Sequence, residues 1–245
     1  MKRIVATIEA RMTSSRLPGK VLLPADGKPM LKHLVDRLRR VKSVQDIVLA
    51  TTVNRLDDCL EIFAQEEGIL CFRGSEEDVM ERVIGAADSV NTDIVVEITG
   101  DCPVIDPLLI EQTIQMFLHN SCDFASNSLI RSYPDGMDTQ VFALDTLKRS
   151  ALMTKDPLDR EHVTLHICKH PELFRQVCLI ASPDLHWPEL GLTLDEQQDY
   201  ELLKTLIEHF GPNRSDFSCR EVIELLRSRP EWAAINQAVQ RKGVS

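Results

Sequence analysis

Short apolar runs alternate with amphipathic segments through the first half of the chain. Four runs rich in β-branched residues predict buried strands: 4–8, 47–50, 70–72 and 93–98. The segments after them carry apolar residues at helical spacing and predict helices: 31–38, 57–67, 77–87 and 107–118. This alternation predicts a three-layer, Rossmann-like α/β fold. Its mostly parallel sheet has helices on both faces and binds ligands beyond the carboxyl ends of the strands.

The second half of the chain has a less regular pattern. Strands are predicted over 139–143 and 174–180, helices over 144–153, 160–169 and 199–209, and one or two helices over 218–240. No glycine- or serine-rich linker and no internal repeat interrupts the sequence. The pattern therefore predicts one domain over residues 1–245 with an irregular C-terminal half.

Composition excludes several classes of protein. The 245 residues contain no run approaching about 18 apolar positions, so no membrane span is expected. Glu9 and Arg11 are charged and come too early for the apolar region of a signal peptide to form, so no secretion signal is expected. Seven cysteines, an odd number without a C-x-x-C pair, are typical of reduced thiols rather than a disulfide framework or zinc site. These features predict a cytoplasmic protein.

The charge is unevenly distributed along the chain. The protein has a net charge of −10, yet residues 1–42 carry eleven basic and three acidic side chains. The overall charge argues against a general nucleic-acid binder, and we expect neither nucleic acid nor membrane as a partner. One basic segment in an acidic protein predicts an anion site.

The loop after the first strand carries most of the candidate chemistry. Gly19 permits close approach of the backbone to a ligand. The guanidinium, ammonium and hydroxyl groups of the loop can bind a polyphosphate. The loop lacks the Walker A pattern, and the chain has no G-x-G-x-x-G fingerprint. A basic surface turn is the alternative. The candidate nucleotide-binding residues of the loop are Arg11, Ser14, Ser15, Arg16 and Lys20.

The run at positions 8–20, with Gly27-Lys28-Pro29-Met30, closely resembles the opening of the CMP-sugar-acid synthetases. These cytidylyltransferases act on 3-deoxy-manno-octulosonate and acylneuraminate-type acids, and the closest resemblance is to the spore-coat polysaccharide branch. It is strong over about the first 110 residues and thinner beyond. It implies a fold of the nucleotide-diphospho-sugar transferase type, in which Arg11 and Lys20 hold the triphosphate with Arg16 between them.

The resemblance also implies two Mg²⁺ ligands. Gly100-Asp101-Cys102-Pro103 matches the family where an aspartate follows a central strand, a suitable place for a metal ligand. In the family, the second metal aspartate opens a late Asp-x-x-x-Asp stretch before a helix. The stretch that begins at Asp195 resembles it, so Asp195 is the expected second ligand. A structural role is the alternative for both: Asp101 as a helix N-cap or turn residue, and Asp195 as a helix N-cap.

Five further residues are assigned by resemblance. Arg73 and Ser75 follow the third strand, where the family contacts the base and ribose, although a turn is an equal explanation. Asp138, Arg160 and His162 resemble sugar-facing positions, and a hairpin turn also explains the first of these.

Three histidines recur at four-residue spacing and would share one helix face: His162, His166 and His170. Ligands aligned along one helix cannot enclose a tetrahedral ion alone, so we do not expect a metal there.

Together these features predict transfer of CMP from CTP to the anomeric hydroxyl of a sugar acid, with catalysis by Arg11, Lys20 and Asp101. Residues 1–120 would bind the nucleotide, 121–217 would supply the sugar site and second metal ligand, and 218–245 would form a helical tail. CTP, a sugar acid and a second copy in a homodimer are the expected partners.

Two alternatives remain. A glycosyltransferase on the same fold would use an Asp-x-Asp metal motif, and Asp101-Cys102-Pro103 lacks the second aspartate. A catalytically silent nucleotide-binding subunit would have lost Arg11, Lys20 or Asp101, all of which are present.

Overall fold

The computed structural model describes residues 2–212 and 214–241, and residues 242–245 of the predicted tail lie outside that part. Among these described residues, seven strands form one sheet and two short strands form a separate hairpin. The strands are β1 (Ile4–Glu9), β2 (Pro24–Ala25), β3 (Lys28–Pro29), β4 (Asp46–Thr52), β5 (Leu70–Gly74), β6 (Ile94–Thr99), β7 (Phe124–Ser126), β8 (Gln140–Ala143) and β9 (Gln176–Cys178).

The large sheet has the order β5-β4-β1-β6-β8-β7-β9. Its first four strands are parallel, β8 is antiparallel to both β6 and β7, and β9 is parallel to β7. The prediction of a mostly parallel sheet is confirmed. Because β1 and β6 are neighbours in the same direction, the loops that leave their carboxyl ends start side by side.

Ten α-helices surround this sheet in the described part of the chain. Their bounds are α1 (Met30–Leu38), α2 (Asp58–Glu67), α3 (Val79–Asp88), α4 (Pro107–His119), α5 (Leu144–Met153), α6 (Pro157–Glu161), α7 (Leu165–Lys169), α8 (Gln197–Phe210), α9 (Cys219–Ser228) and α10 (Pro230–Ala233). None of the helices described is both long and apolar enough to cross a membrane.

The helices form two layers because successive strand residues point to opposite faces of the sheet. Ala6 and Ile8 of β1 pack in a cluster with residues of α1, α2 and α4. Val5 packs on the opposite face, where α3 lies, and the neighbouring Val95 of β6 packs with residues of α3, α5 and α7. A third apolar cluster joins α8 and α9 to the hairpin and the segments around Met137 and Leu192.

A buried arginine fastens the first helix to the C-terminal cluster. Both terminal nitrogens of Arg37 donate to the carbonyl oxygen of Phe217, at 3.0 and 2.9 Å, and the guanidinium lies 4.0 Å from the centre of the Phe217 ring. These contacts give each terminal nitrogen of a side chain that is otherwise costly to bury a hydrogen-bond acceptor. Helix α1 is thus attached directly to the segment that precedes α9.

The structure corrects three predictions in the irregular half. The predicted helix over 160–169 is two short helices, α6 and α7, because the chain turns at Val163, whose φ is +29°. The three histidines therefore do not share one helix face: only His166 lies inside α7, and His162 ends α6. The strand predicted over 174–180 is reduced to β9, and β7 was not predicted.

Candidate active site

The loop after β1 closes on itself before it delivers Lys20 to the sheet edge. The amide of Gly19 donates to the carbonyl of Met12 at 2.9 Å, with Gly19 at a φ of +71°. A side chain at this position would adopt a strained backbone conformation and approach the Met12 methyl to 3.3 Å. Met12 is itself fixed, because its amide donates to the buried carboxylate of Asp57 at 2.7 Å.

Lys20 lies between two carboxylates from distant parts of the chain. Its Nζ is 3.0 Å from an oxygen of Asp101 and 2.9 Å from an oxygen of Asp195. Only 12% of the Lys20 side chain is exposed. Arg16 lies on the same oxygen of Asp195, at 2.8 Å. The structure therefore brings together four of the residues that the sequence analysis selected.

Asp101 is held beyond the end of β6 by its neighbours. Gly100 passes so close to β1 that a Cβ there would be 2.8 Å from the carbonyl oxygen of Glu9. The hydroxyl of Thr99 donates to Asp101 at 2.7 Å, and the carbonyl of Asp101 accepts from the amide of Leu194 at 2.8 Å. This last bond joins the segment of Asp101 to the segment of Asp195.

Asp195 is positioned by a buried carboxylate four residues later. One oxygen of Asp199 accepts from the amides of Asp195 and Glu196, at 3.1 and 2.9 Å. Its other oxygen accepts from Asn236 at 2.8 Å and from Arg241 at 2.7 Å. Glu196, not Asp195, is the N-cap of α8, so the alternative explanation of Asp195 as an N-cap does not hold.

Charge interactions and hydrogen bonds keep Lys20 and Asp101 ionised. Burial disfavours the Lys20 ammonium, but the charges and hydrogen bonds of Asp101 and Asp195 outweigh it and raise the pKa of Lys20. Burial also disfavours the Asp101 carboxylate, but Lys20 and Thr99 outweigh it and lower the pKa of Asp101. Lys20 is therefore an ammonium and Asp101 a carboxylate at neutral pH.

These groups can bind a cation and an anion side by side. Two carboxylates that reach one ammonium nitrogen can instead supply oxygen ligands to one metal ion. Across residues 2–212 and 214–241 there is no group of three or more histidine, cysteine or acidic side chains suited to a metal. A metal held by the two aspartates would thus take its remaining ligands from substrate and water.

Comparison with known proteins identifies the family. The sequence pattern of the family described as Cytidylyltransferase matches residues 5–212 of the chain. The chain belongs to this family. A nucleotidyltransferase activity accounts for a basic loop opposite two carboxylates at the carboxyl edge of a parallel sheet.

Two relatives of this cytidylyltransferase match nearly its whole length. The spore coat polysaccharide biosynthesis protein SpsF of Bacillus subtilis is 35% identical and covers 97% of the chain and 100% of its own. The solved structure of a cytidylyltransferase from Leptospira borgpetersenii superposes with a TM-score of 0.90 at 32% identity, covering 99% of this chain and 100% of that one.

A third relative matches over about half the chain. The 8-amino-3,8-dideoxy-manno-octulosonate cytidylyltransferase of Shewanella piezotolerans is 36% identical over 127 residues, which is 51% of this chain and 52% of its own. These relatives confirm the resemblance from which the sequence analysis argued.

The other predicted nucleotide residues of the cytidylyltransferase are more dispersed. Arg11 is exposed and its guanidinium lies 4.0 Å from Glu76. Ser14 is half-buried and Ser15 is exposed in the same loop. Arg73 is drawn away to α2, where it pairs with Asp58 at 2.7 Å. Ser75 accepts from the amide of Asp78 at 3.0 Å, which is a turn contact.

The three predicted sugar residues also have partners within the protein. Asp138 accepts two hydrogen bonds from Arg131, at 2.6 and 2.7 Å. Arg160 pairs with Asp78 at 2.6 Å, and His162 is exposed at the end of α6. The ion pairs with Arg131 and Asp78 account for the positions of Asp138 and Arg160. The assignment of all three residues to the sugar stays a prediction.

Sequence reasoning missed the buried acids that support the site. Asp57 holds the loop, Asp199 holds Asp195, and Glu9 and Glu97 lie on the neighbouring strands β1 and β6, near enough for the charge of Asp101 to raise the pKa of each. One signal was available: Glu9 and Glu97 are acidic residues inside otherwise apolar strand runs, and a buried charge is rare unless it has a partner.

Proposed function

We propose that the protein is a Mg²⁺-dependent cytidylyltransferase that transfers CMP from CTP to the anomeric hydroxyl of a sugar acid and releases pyrophosphate. The observation that carries this proposal is the position of the Lys20 ammonium, within hydrogen-bond distance of both Asp101 and Asp195. Phosphoryl-type transfer depends mainly on positioning and charge neutralisation, and this point of the molecule offers both signs of charge.

The basic residues of the loop would receive the triphosphate. Arg16 is suited to this role, because its Nη1 is buried and has no hydrogen-bond partner in the described part of the protein. An unsatisfied buried donor is costly, and a phosphate oxygen would satisfy it. Arg11 and Lys20 would add charge on the β- and γ-phosphates and stabilise the pyrophosphate as it leaves.

Asp101 and Asp195 fit the requirements of a magnesium site. Both are carboxylates, and both lie within hydrogen-bond distance of the Lys20 ammonium, which supports the proposal that a cation can be held between them. Mg²⁺ at this point would neutralise the α-phosphate and orient the attacking hydroxyl. Lys20 would then exchange its two carboxylates for the phosphates of CTP.

The acceptor is proposed from the chain's relatives. The Shewanella relative is named for an octulosonate and the Bacillus relative for polysaccharide biosynthesis. We therefore place the sugar acid beyond the carboxyl end of β6 and the start of β8, near Asp138, Arg160 and His162. The product would be used in the synthesis of a surface polysaccharide. We assign no general base among the described residues. A homodimer is expected, and light scattering after gel filtration tests it.

A pyrophosphate-release assay tests the proposed function. The purified protein is incubated with Mg²⁺, a panel of sugar acids, and CTP, UTP, ATP or GTP in turn. We expect release that depends on both CTP and a sugar acid, and that stops when EDTA is added. Release of a nucleoside mono- or diphosphate from a nucleotide-sugar donor, or release of pyrophosphate with ATP as readily as with CTP, would contradict the proposal.

A further inference from the structure

The loop between β7 and β8, residues 127–139, lies at the same edge of the sheet as Lys20 and Asp101. Strand β8 is antiparallel to both β6 and β7, so β7 runs in the direction of β6 and ends at the carboxyl edge. Asn127 closes the loop, because its Nδ2 donates to the carbonyl of Met137 and its Oδ1 accepts from the amide of Thr139, both at 2.7 Å. The loop therefore presents its side chains from a fixed backbone.

Backbone contacts join this loop to the proposed metal site. The amide of Leu192 donates to the carbonyl of Asp135 at 2.7 Å, and two residues later the amide of Leu194 donates to Asp101. Burial, together with the charges of Asp135 and Asp101, raises the pKa of Asp138 to about 6. The two aspartates of the loop thus lie near enough to Asp101 to interact with its charge.

Arg131, in the same loop, contacts these aspartates through one nitrogen. Its Nη1 lies 2.6 and 2.7 Å from the two oxygens of Asp138 and 3.5 Å from Asp135. Neither Nη2 nor Nε of Arg131 donates to a residue that the structure describes. The side chain is 43% exposed, so a ligand can reach it. These two nitrogens form the edge with which an arginine binds both oxygens of a carboxylate.

The other cations considered for the substrates are already assigned or engaged. Lys20 and Arg16 are proposed to receive the triphosphate. Arg160 uses the equivalent edge within the protein, since its Nε and Nη2 donate to Asp78 at 2.9 and 2.6 Å. Arg131 is therefore the cation of this half whose two-nitrogen edge is available to the acceptor.

The chemistry of the acceptor supplies a matching anion. In an ulosonic acid the anomeric carbon is bonded directly to the carboxylate carbon, so the carboxylate lies next to the attacking hydroxyl. A hydroxyl that attacks near Asp101 brings that carboxylate to the same edge of the sheet. A guanidinium held there in advance would bind the acid and orient the hydroxyl at once.

We propose that Arg131 binds the carboxylate of the acceptor through Nη2 and Nε, and that this contact selects acids over uncharged sugars. Asp138 and Asp135 hold the guanidinium through Nη1 and leave the other edge free. The inference rests on the proposed function and names the residue that recognises the acid group of the acceptor.

The test compares acceptors with and without that charge. The probes are 3-deoxy-manno-octulosonate and N-acetylneuraminate, each as the free acid and as its methyl ester, in the CTP-dependent pyrophosphate assay. For the acid that the wild type uses better, Arg131→Gln should raise KM by at least about tenfold, the scale of hydrogen bonds between charged groups. The KM for the ester and the KM for CTP should each change by about twofold or less. Arg131→Lys keeps the charge but not the paired donors, so its KM for the acid should be intermediate.

A matched control separates this effect from a general loss of charge. Arg175→Gln changes an arginine that is 69% exposed and also lies beside an aspartate, Asp123, and it should behave as wild type. An unchanged KM for the acid in Arg131→Gln, or an equal rise for acid and ester, would overturn the inference and leave the proposed function standing. A wild-type protein that releases pyrophosphate with neither acid would instead contradict the proposed acceptor class, and the inference with it.

Discussion

The guanidinium of Arg241 lies 2.7 Å from the carboxylate of Asp199, which is fully buried. The same carboxylate holds the backbone of Asp195, one of the two proposed metal ligands. The C-terminal segment, whose described residues make no hydrogen bond to Lys20 or Asp101, is thus joined to the site through one shared acid.

We expect Arg241→Ala to destabilise the protein and to weaken metal-dependent activity. Removing one partner of a buried ion pair costs about 3–5 kcal/mol, and 23% exposure of Arg241 reduces that figure. Thermal unfolding measures the first effect and the Mg²⁺ concentration at half-maximal rate measures the second. Arg241→Lys should restore part of both, and Arg55→Ala, at an exposed position, should change neither. An unchanged Mg²⁺ dependence would separate Arg241 from the site.

Asp101→Asn tests the proposed metal ligand. The amide retains the shape of the side chain but removes the charge, so the fold should persist while turnover falls by about 10²-fold or more. Steady-state kinetics of pyrophosphate release measure this, with circular dichroism as the check on folding. Asp216→Asn, at an exposed aspartate, is the control. A variant with more than about half of the normal activity would remove Asp101 from the mechanism.

Lys20→Met tests whether the loop binds the triphosphate. The substitution keeps most of the aliphatic stem, so it should weaken CTP by about 1.5–3 kcal/mol, the range for hydrogen bonds to charged groups. CMP lacks the β- and γ-phosphates, and its affinity should hardly change. Calorimetric titration of both nucleotides measures the contrast. Equal weakening of CMP and CTP would favour the glycosyltransferase or the silent nucleotide-binding subunit.

Glu97→Gln should change how stability depends on pH. The pKa of Glu97 is raised in the folded protein, chiefly by burial, above its ordinary value of 4.5. Above pH 4.5 the unfolded chain therefore loses a proton that the folded protein retains, and Glu97 lowers stability as the pH rises. The variant should gain melting temperature relative to wild type between about pH 5 and about pH 8. A constant difference across this range would mean that Glu97 is ionised when folded.

The regular half of the fold was predictable because its signals are local. Continuous apolar runs located β1, β4, β5 and β6, and the rule that ligands bind at the carboxyl ends of parallel strands placed the loop after β1, which contains Lys20, at the edge where ligands bind. The sequence did not predict the break at Val163 or the strand β7. There the chain follows tertiary packing, and the helical periodicity of 160–169 continues across a residue with positive φ.

Long-range contacts account for the rest. Nothing near Asp195 in the sequence indicates that Lys20, 175 positions earlier, shares its oxygen. The pairing of Glu9 with Glu97 depends on strand order and register, which the pattern of apolar residues leaves open. Arg73 and Arg160 follow motifs suited to ligand contact, yet acidic groups of α2 and of the α3 N-terminus bind their side chains.

The three-way contact of Lys20, Asp101 and Asp195 has a consequence for protein synthesis. A chain emerges from the ribosome from its N-terminus, and the strands that precede the first two residues, β1 and β6, are complete long before the third residue is translated. A partly made protein thus has the loop of Lys20 and the carboxylate of Asp101, but it lacks Asp195 and the Asp199 that holds it. Nascent chains would be inactive, and catalytic competence would arise only as the final segment folds onto the sheet.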